Sequence, residues 1–122
     1  SDNYQLAIDY FSKSIGSYEK YGNSYTNRAY AKILLNDYAV KDEALKNEIN
    51  QDIEKALSFY ANDSFAYVVK GILMEATANK SGASEAYKTA LSLVDKDITL
   101  GASEKVDMKN KINQSITNLT KK

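Results

Sequence analysis

The sequence predicts an all-α fold of about six helices, built from antiparallel helix-turn-helix repeats that stack as an α-solenoid. A phrase with one pattern of apolar and charged residues occurs three times, beginning at Ala7, Ile49 and Ala83. The second and third copies lie 34 residues apart, which is a period of helix-turn-helix repeats, whereas the first and second lie 42 apart. Proline is absent from all 122 residues, so no residue of that kind interrupts the helices.

Each copy of the phrase has the periodicity of an amphipathic helix. Apolar or small residues recur at steps of three and four, which places them on one helical face. These residues are Ala7, Phe11, Ser14 and Ile15 in the first copy, Ile49, Ile53, Ala56 and Leu57 in the second, and Ala83, Tyr87, Ala90 and Leu91 in the third. Each copy is therefore predicted to bury one face.

A second apolar segment precedes or follows each copy, so helices alternate with turns. These segments begin at Tyr25 and Tyr67. Short side chains that accept hydrogen bonds from free backbone amides commonly begin helices. The predicted starts are Asn23 or Ser24, and Asp63 or Ser64.

Over residues 2–97 this pattern resembles the tetratricopeptide repeat. The family's alternation of large aromatic and small residues falls on Tyr67, Gly71, Ala83, Tyr87 and Ala90, on Tyr25, Ala29, Ile49, Ile53 and Ala56, and in part on Tyr4, Ala7, Phe11 and Ser14. The resemblance implies a right-handed superhelix. Because large residues on one helix need small ones opposite, the sequence predicts Phe11, Tyr25, Tyr67 and Tyr87 as packing residues.

The spacing divides the single domain of residues 1–122 into four parts. Residues 1–21 correspond to the second half of a first repeat, 22–62 to a second repeat, 63–97 to a third, and 98–122 to a capping helix. Eight additional residues fall in the second repeat, near 39–46. Their composition favours an extension of the following helix by about two turns, and a longer loop is the alternative.

The capping helix is predicted to begin at Ser103 and to carry an apolar stripe. The residues of this stripe are Val106, Met108, Ile112, Ile116 and Leu119. Repeat arrays need such a terminal helix because the last repeat otherwise leaves its apolar face in water.

Composition argues against several classes of function. Sixteen basic and sixteen acidic residues give a net charge of zero, which disfavours binding to nucleic acid. Cysteine and histidine are absent, so no catalytic residue, metal site or cofactor is predicted and the chain is expected not to be an enzyme. No apolar run approaches the roughly 20 residues of a membrane span.

Two acidic patterns carry little functional signal. Residues 95–97 resemble the start of a calcium-binding loop, but Val106 stands where a closing glutamate belongs, so these aspartates are predicted to form a turn. Three further acids among lysines are predicted to form solvated ion pairs worth about 0.5 kcal/mol each. They are Asp52, Glu54 and Glu85.

The resemblance implies that a ligand lies in a concave groove made by the first helix of each repeat. The matching positions are Asn23, Thr26, Asn27, Tyr30, Ile33, Leu34, Phe65, Val68, Ile72 and Glu75. This apolar surface predicts a protein-binding scaffold that takes a helix or an extended hydrophobic peptide. The alternative is that the C-terminal helix or a second copy covers Phe65, Val68 and Ile72.

Two other interpretations concern the partner. A branch of the family clamps terminal carboxylates, and Asn27 resembles one clamp residue, but Phe65 and Val69 stand where basic residues are expected. Separately, the first helix lacks the front helix of its repeat. Its apolar residues Tyr4, Phe11 and Ile15 therefore predict self-association, with a homo-oligomer as the rival to a peptide or protein partner.

Overall fold

The computed structural model describes residues 2–15, 23–36 and 39–121. The regular secondary structure within them consists of helices, with no strand. The helices are α1 (Asp2–Ile15), α2 (Asn23–Leu35), α3 (Glu43–Phe59), α4 (Ser64–Ala76), α5 (Lys80–Leu93) and α6 (Ala102–Thr120), and a short 3-10 helix spans Val94–Lys96. The predicted all-α class is therefore confirmed. Among these described helices none is both long and apolar enough to cross a membrane.

The helices pack in chain order, and α2 also contacts α4. Two hydrophobic clusters result. The first, between α2, α3 and α4, contains Ala29, Ile33, Val40, Ile49, Ile53, Val69 and Leu73. The second, between α4, α5 and α6, contains Ala83, Tyr87, Ala90, Val94 and Ile112. Because α4 contributes to both clusters, it forms the centre of the fold.

The second cluster is built around Tyr87, whose side chain is 1% exposed. A Cβ atom added at Gly71 would lie within 2.8 Å of three carbons of the Tyr87 ring. Real Cβ atoms do not approach so closely, so only glycine lets α4 and α5 pack around this ring. The predicted pairing of a large residue with a small one is confirmed here, and Ala83 and Ala90 are fully buried beside it.

The other predicted packing aromatics are less buried than Tyr87. Tyr25 is half-buried and stacks on Phe59, with ring centroids 5.9 Å apart. Tyr67 is half-buried against the second cluster, and Phe11 is half-buried in α1. These three rings therefore lie at the edges of the core, whereas Tyr87 lies inside it.

The eight additional residues, 39–46, form partly a loop and partly an extension of α3, the two structures predicted for them. Residues 39–42 are not helical, and α3 begins at Glu43 because Asp42 caps it by accepting a hydrogen bond from the Ala44 N–H at 3.0 Å. The non-helical part inserts Val40 into the first cluster, where its N–H donates to the Ala76 carbonyl at 3.3 Å. The insertion therefore extends the helix by about one turn, and from its non-helical part Val40 fills the core.

The start of α4 is held by two buried aspartates. Asp63 caps the helix, as predicted, by accepting from the Ala66 N–H at 3.1 Å, and it also accepts from the Thr26 hydroxyl at 3.3 Å. Asp97, 1% exposed, accepts from the N–H of Ser64 at 3.0 Å and from its hydroxyl at 2.8 Å. The first turn of α4 is thus tied to the segment that follows α5.

The two aspartates differ in their pKa. Burial raises the pKa of Asp63, and the neighbouring charge of Asp97 also raises it. Burial acts to raise the pKa of Asp97 as well, but hydrogen bonds from Thr99 and Ser64 outweigh it and hold that pKa below its usual value. Asp97 also begins a turn, since its carbonyl accepts from the Leu100 N–H at 3.2 Å, which confirms the predicted turn.

Asp52 is not a solvated ion pair, and that prediction was wrong. Its side chain is buried and accepts from Arg28 Nη2 at 2.6 Å and Nε at 2.9 Å. Lys32 lies 3.4 Å from the same carboxylate and 2.6 Å from Glu48. The hydrogen bond with Asp52 is the main cause that raises the pKa of Arg28. The partners of Asp52 lie on α2, so spacing along α3 alone could not show them.

The exposed pair that involves Glu54 fits the prediction better. Its carboxylate lies 3.8 Å from Lys70 on the neighbouring helix, and more than half of the Glu54 side chain is exposed. Such a pair contributes little stability, at most about 1 kcal/mol.

The last helix begins one residue before its predicted cap. Gly101 occupies the N-cap position instead of Ser103, and the Glu104 carboxylate accepts from the Gly101 N–H at 2.9 Å. Ile112 is buried in the second cluster, with Met108, Ile116 and Leu119 packed against it. Val106 departs from the predicted stripe because it points to solvent and is 59% exposed.

The end of α4 contains one strained residue, Ala78, whose φ of 60° lies in the left-handed region. The Asn79 N–H donates to the Met74 carbonyl at 2.8 Å and the Ala78 N–H to the Glu75 carbonyl at 3.0 Å. These bonds form a Schellman motif, whose left-handed position favours glycine.

The change Ala78→Gly is therefore expected to raise the free energy of unfolding by about 1 kcal/mol, because glycine carries no steric penalty at positive φ. Urea denaturation followed by circular dichroism measures this. As a control, Ala44→Gly in the first turn of α3 is expected to lower stability by about 0.5 kcal/mol. A loss of stability in the Ala78→Gly variant would contradict the assigned conformation.

Candidate functional site

A groove opens between α2, α4 and α6, and it encloses about 320 Å³. Its lining residues are Tyr30 from α2, Phe65, Val68 and Ile72 from α4, and Met108, Lys111, Ile112 and Ser115 from α6. Five of these eight side chains are wholly hydrocarbon or thioether. The groove therefore offers an apolar surface with a few polar groups, which is the usual character of a binding cleft.

The walls of the groove are anchored in the core. Tyr30 packs edge-on against Phe65, with ring centroids 5.8 Å apart and an angle of 85° between the ring planes. Ile72 packs against both hydrophobic clusters. Because these side chains are held from behind by buried residues, the groove keeps its shape without a ligand.

Beside the groove, the hydroxyl of the buried Tyr87 interacts with two polar side chains. The hydroxyl of Tyr87, which extends from the second cluster, donates a hydrogen bond to the Glu75 carboxylate, and Ser115 also hydrogen-bonds this hydroxyl. Burial raises the pKa of Tyr87, and the hydrogen bond to Glu75 raises it further, so the phenol stays protonated.

Lys111 is the charged residue of the groove lining, and its side chain is exposed. In the part of the chain that the structure describes, no acid forms an ion pair with it. Glu104 and Asp107 line a separate small hollow on the other side of Lys111. The groove thus has one ammonium group at an otherwise apolar surface.

A second, more open hollow of about 430 Å³ lies farther along the same helices and is lined by Glu75, Ala78, Lys80 and Leu119. Residue numbers on α4 and α6 rise together from the groove to this hollow, so the two helices run in the same direction. Both helices pack on α5. The groove and the second hollow therefore follow one seam between α4 and α6.

Four of the predicted binding residues meet in the groove, namely Tyr30, Phe65, Val68 and Ile72. Glu75 lies beside the second hollow. Asn27 and Leu34 are half-buried on α2 and are absent from the groove lining given above. Asn23 begins α2, but its side chain lies outside the described residues.

Two predicted binding residues, Thr26 and Ile33, do not reach the groove. Thr26 is buried because its hydroxyl donates to Asp63, and Ile33 is fully buried in the first cluster. Both lie on the face of α2 that carries Ala29, which packs toward α3 and α4. The predicted positions Thr26 and Ile33 of α2 therefore face the core, and Tyr30 is the predicted residue of this helix that lines the groove.

The predicted set omitted the wall that α6 supplies. Met108 and Ile112 were assigned to a cap, and Lys111 and Ser115 were not among the predicted binding residues. The signal available in the sequence was the apolar stripe that carries Met108 and Ile112. The predicted alternative, coverage of Phe65, Val68 and Ile72 by this helix, is realised only in part, because α6 forms a wall and leaves the groove open.

The described residues contain no group of three or more aspartates and glutamates placed to hold a metal ion. The polar groups of the groove are two hydroxyls and one ammonium, which can donate hydrogen bonds and attract an anion. No model of a known protein family, no curated protein and no solved structure matches this chain. A function is therefore supported by the geometry of the groove alone.

Proposed function

We propose that this chain is a non-enzymatic interaction module of the tetratricopeptide type, which holds a peptide or a partner protein in the groove between α2, α4 and α6. The observation that carries the proposal is the groove itself. Three alternate helices of the chain direct large apolar side chains, among them Phe65, Val68 and Met108, to one open surface. Such a surface gains free energy when a partner removes it from water.

The order of packing supports the repeat architecture within this proposal. Helices α2 and α3 form one consecutive pair, and α4 and α5 form the next. Helix α6 follows in the position of another front helix, since it runs in the same direction as α4 and packs on α5. In a right-handed stack of such pairs α2, α4 and α6 share one side, and the groove that all three helices line supports this arrangement.

The rival proposal, self-association through α1, has less support. Helix α1 packs on α2 and exposes Leu6 and Tyr10, which are 65% and 68% exposed, while Phe11 is half-buried. A stable dimer buries about 800 Å² on each partner. Two protruding side chains and the partly exposed Tyr4 supply a small part of that area, so the groove carries the proposal instead.

A matched pair of variants on one helix tests the groove. Met108→Glu places a charge in the groove wall, whereas Val106→Glu places the same residue two positions away, on an exposed site outside the groove. Random peptides of about 16 residues, which span about 24 Å as a helix, are displayed and selected on the unmodified chain. Enriched peptides are then synthesised, and their dissociation constants are measured by fluorescence anisotropy.

We expect Met108→Glu to weaken the selected peptides at least about tenfold, which is 1.4 kcal/mol, and Val106→Glu to leave them unchanged. Circular dichroism and thermal melting of both variants check that the fold is kept. The proposal fails if selection enriches no peptide, or if the two variants bind the enriched peptides equally well.

A further inference from the structure

We infer that the occupant of the groove is an amphipathic α-helix of a partner protein, with two large apolar side chains seven residues apart and an acidic residue beside the first of them. The inference rests on the proposed function and goes further, since it selects one class of ligand. Three features of the groove support it: the scarcity of hydrogen-bonding atoms, the distance between the two hollows, and the position of Lys111.

The scarcity of polar atoms favours a helix over an extended peptide. An extended segment must pair its backbone N–H and C=O groups with the protein when it is buried. The groove is lined mainly by hydrocarbon, and its few polar side chains are those of Tyr30, Lys111 and Ser115. A helix satisfies its own backbone hydrogen bonds, so it can enter such a groove without leaving these groups unpaired.

The distance between the hollows favours anchors seven residues apart. Val68 of α4 lines the groove, and Glu75 of the same helix lines the second hollow. These two residues are seven positions apart on α4, or about 10 Å at the helical rise. A ligand helix that lies along α4 has the same rise, so residues i and i+7 on its apolar face reach both hollows.

Charge complementarity places the acidic residue. Lys111 stands at the first hollow without an ion pair to a described acid. At the second hollow, Glu75 and Lys80 bring opposite charges, which balance each other. A carboxylate on the ligand beside its first anchor therefore meets an ammonium group, whereas a basic residue there would be repelled.

The test uses a synthetic, fluorescein-labelled peptide of about 18 residues, long enough to form a helix. It has an alanine and glutamine background, two leucines seven residues apart, and one glutamate three residues from the first leucine. Three control peptides change one feature each: the leucines are moved to five residues apart, the glutamate is replaced by lysine, or a proline is placed between the leucines. Dissociation constants come from fluorescence anisotropy.

We expect the parent peptide to bind best and the proline peptide to bind at least tenfold more weakly, since proline breaks the helix. The lysine peptide is expected to bind about fivefold more weakly, the upper end for an exposed ion pair. Lys111→Glu should weaken the parent peptide by a similar factor and restore the lysine peptide. Lys88→Glu, an exposed site on α5, is the control and should change neither.

The results separate this inference from the proposed function. If the parent peptide does not bind, or if the proline peptide binds equally well, the helical ligand is wrong. If Lys111→Glu does not exchange the preference between the glutamate and lysine peptides, the acidic residue is wrong. The proposed function survives these results as long as the selected peptides still lose binding in Met108→Glu and keep it in Val106→Glu.

Discussion

Replacing Tyr87 by alanine is expected to lower the free energy of unfolding by about 4 kcal/mol, the magnitude found when a buried aromatic ring is removed. The ring is 1% exposed, lies in the middle of the second cluster, and contacts the backbone of α4 at Gly71. Domains of this kind are stable by only about 5–15 kcal/mol, so the loss is a large fraction of the total. Urea denaturation followed by circular dichroism measures it.

Two comparisons separate the ring from its hydroxyl. Tyr87→Phe removes only the hydrogen bonds to Glu75 and Ser115, and we expect it to cost about 1 kcal/mol. Gly71→Ala should cost about 1–3 kcal/mol in the unmodified chain through overpacking, and much less when Tyr87 is already alanine. If the alanine and phenylalanine variants were equally unstable, the hydroxyl and not the packing would hold α4 on α5.

The second large effect is expected for Asp97→Asn, which should lower stability by about 3 kcal/mol near neutral pH. The carboxylate accepts hydrogen bonds from the N–H and the hydroxyl of both Ser64 and Thr99. An asparagine in this place turns an amide NH₂ toward some of these donors. The start of α4 then loses its connection to the turn after α5.

The stability that the Asp97 carboxylate contributes depends on pH, and the direction of its pKa shift predicts how. The folded pKa of Asp97 lies below its unfolded value, which is about 3.9. Its carboxylate therefore contributes stability above that pH, and the contribution is lost as the pH falls through the folded pKa. We expect the difference between the unmodified chain and Asp97→Asn to be largest near pH 7 and to shrink toward about pH 3.

Asp63→Asn is the matched control, because it makes the same change in the other buried aspartate at the start of α4. The folded pKa of Asp63 is raised, so this group contributes stability at low pH and loses it as the pH rises. Asparagine is an equally good N-cap. The variant should match or exceed the stability of the unmodified chain at pH 7, and equal losses from both changes would contradict the assigned pKa directions.

Local patterns predicted the helices well. The spacing of apolar residues marked each helix, and Asp63 or Ser64 was predicted to begin α4 because a short side chain that accepts a hydrogen bond begins a helix in any context. The resemblance implied that small residues lie opposite large ones, as Gly71 lies against Tyr87. These are properties of a few neighbouring residues or of a fixed repeat period.

The candidate site was predicted only in part. The family resemblance placed Tyr30, Phe65, Val68 and Ile72 on one binding surface, and these four residues line the groove. It placed Thr26 on the same surface, although a rotation of α2 by a fraction of a turn buries that residue. Lys111 was not among the predicted binding residues, because the direction of α6 relative to α4 depends on how α6 packs on α5.

The sequence by itself determined that the chain is helical and where most of its helices lie, because these follow from hydrogen bonding and periodicity along the chain. Only the tertiary structure decided that Val40 fills the core, that Asp52 pairs with Arg28, and that α6 forms a groove wall. Each of these depends on contacts between segments distant in the chain. Such contacts are set by the rotation and direction of whole helices.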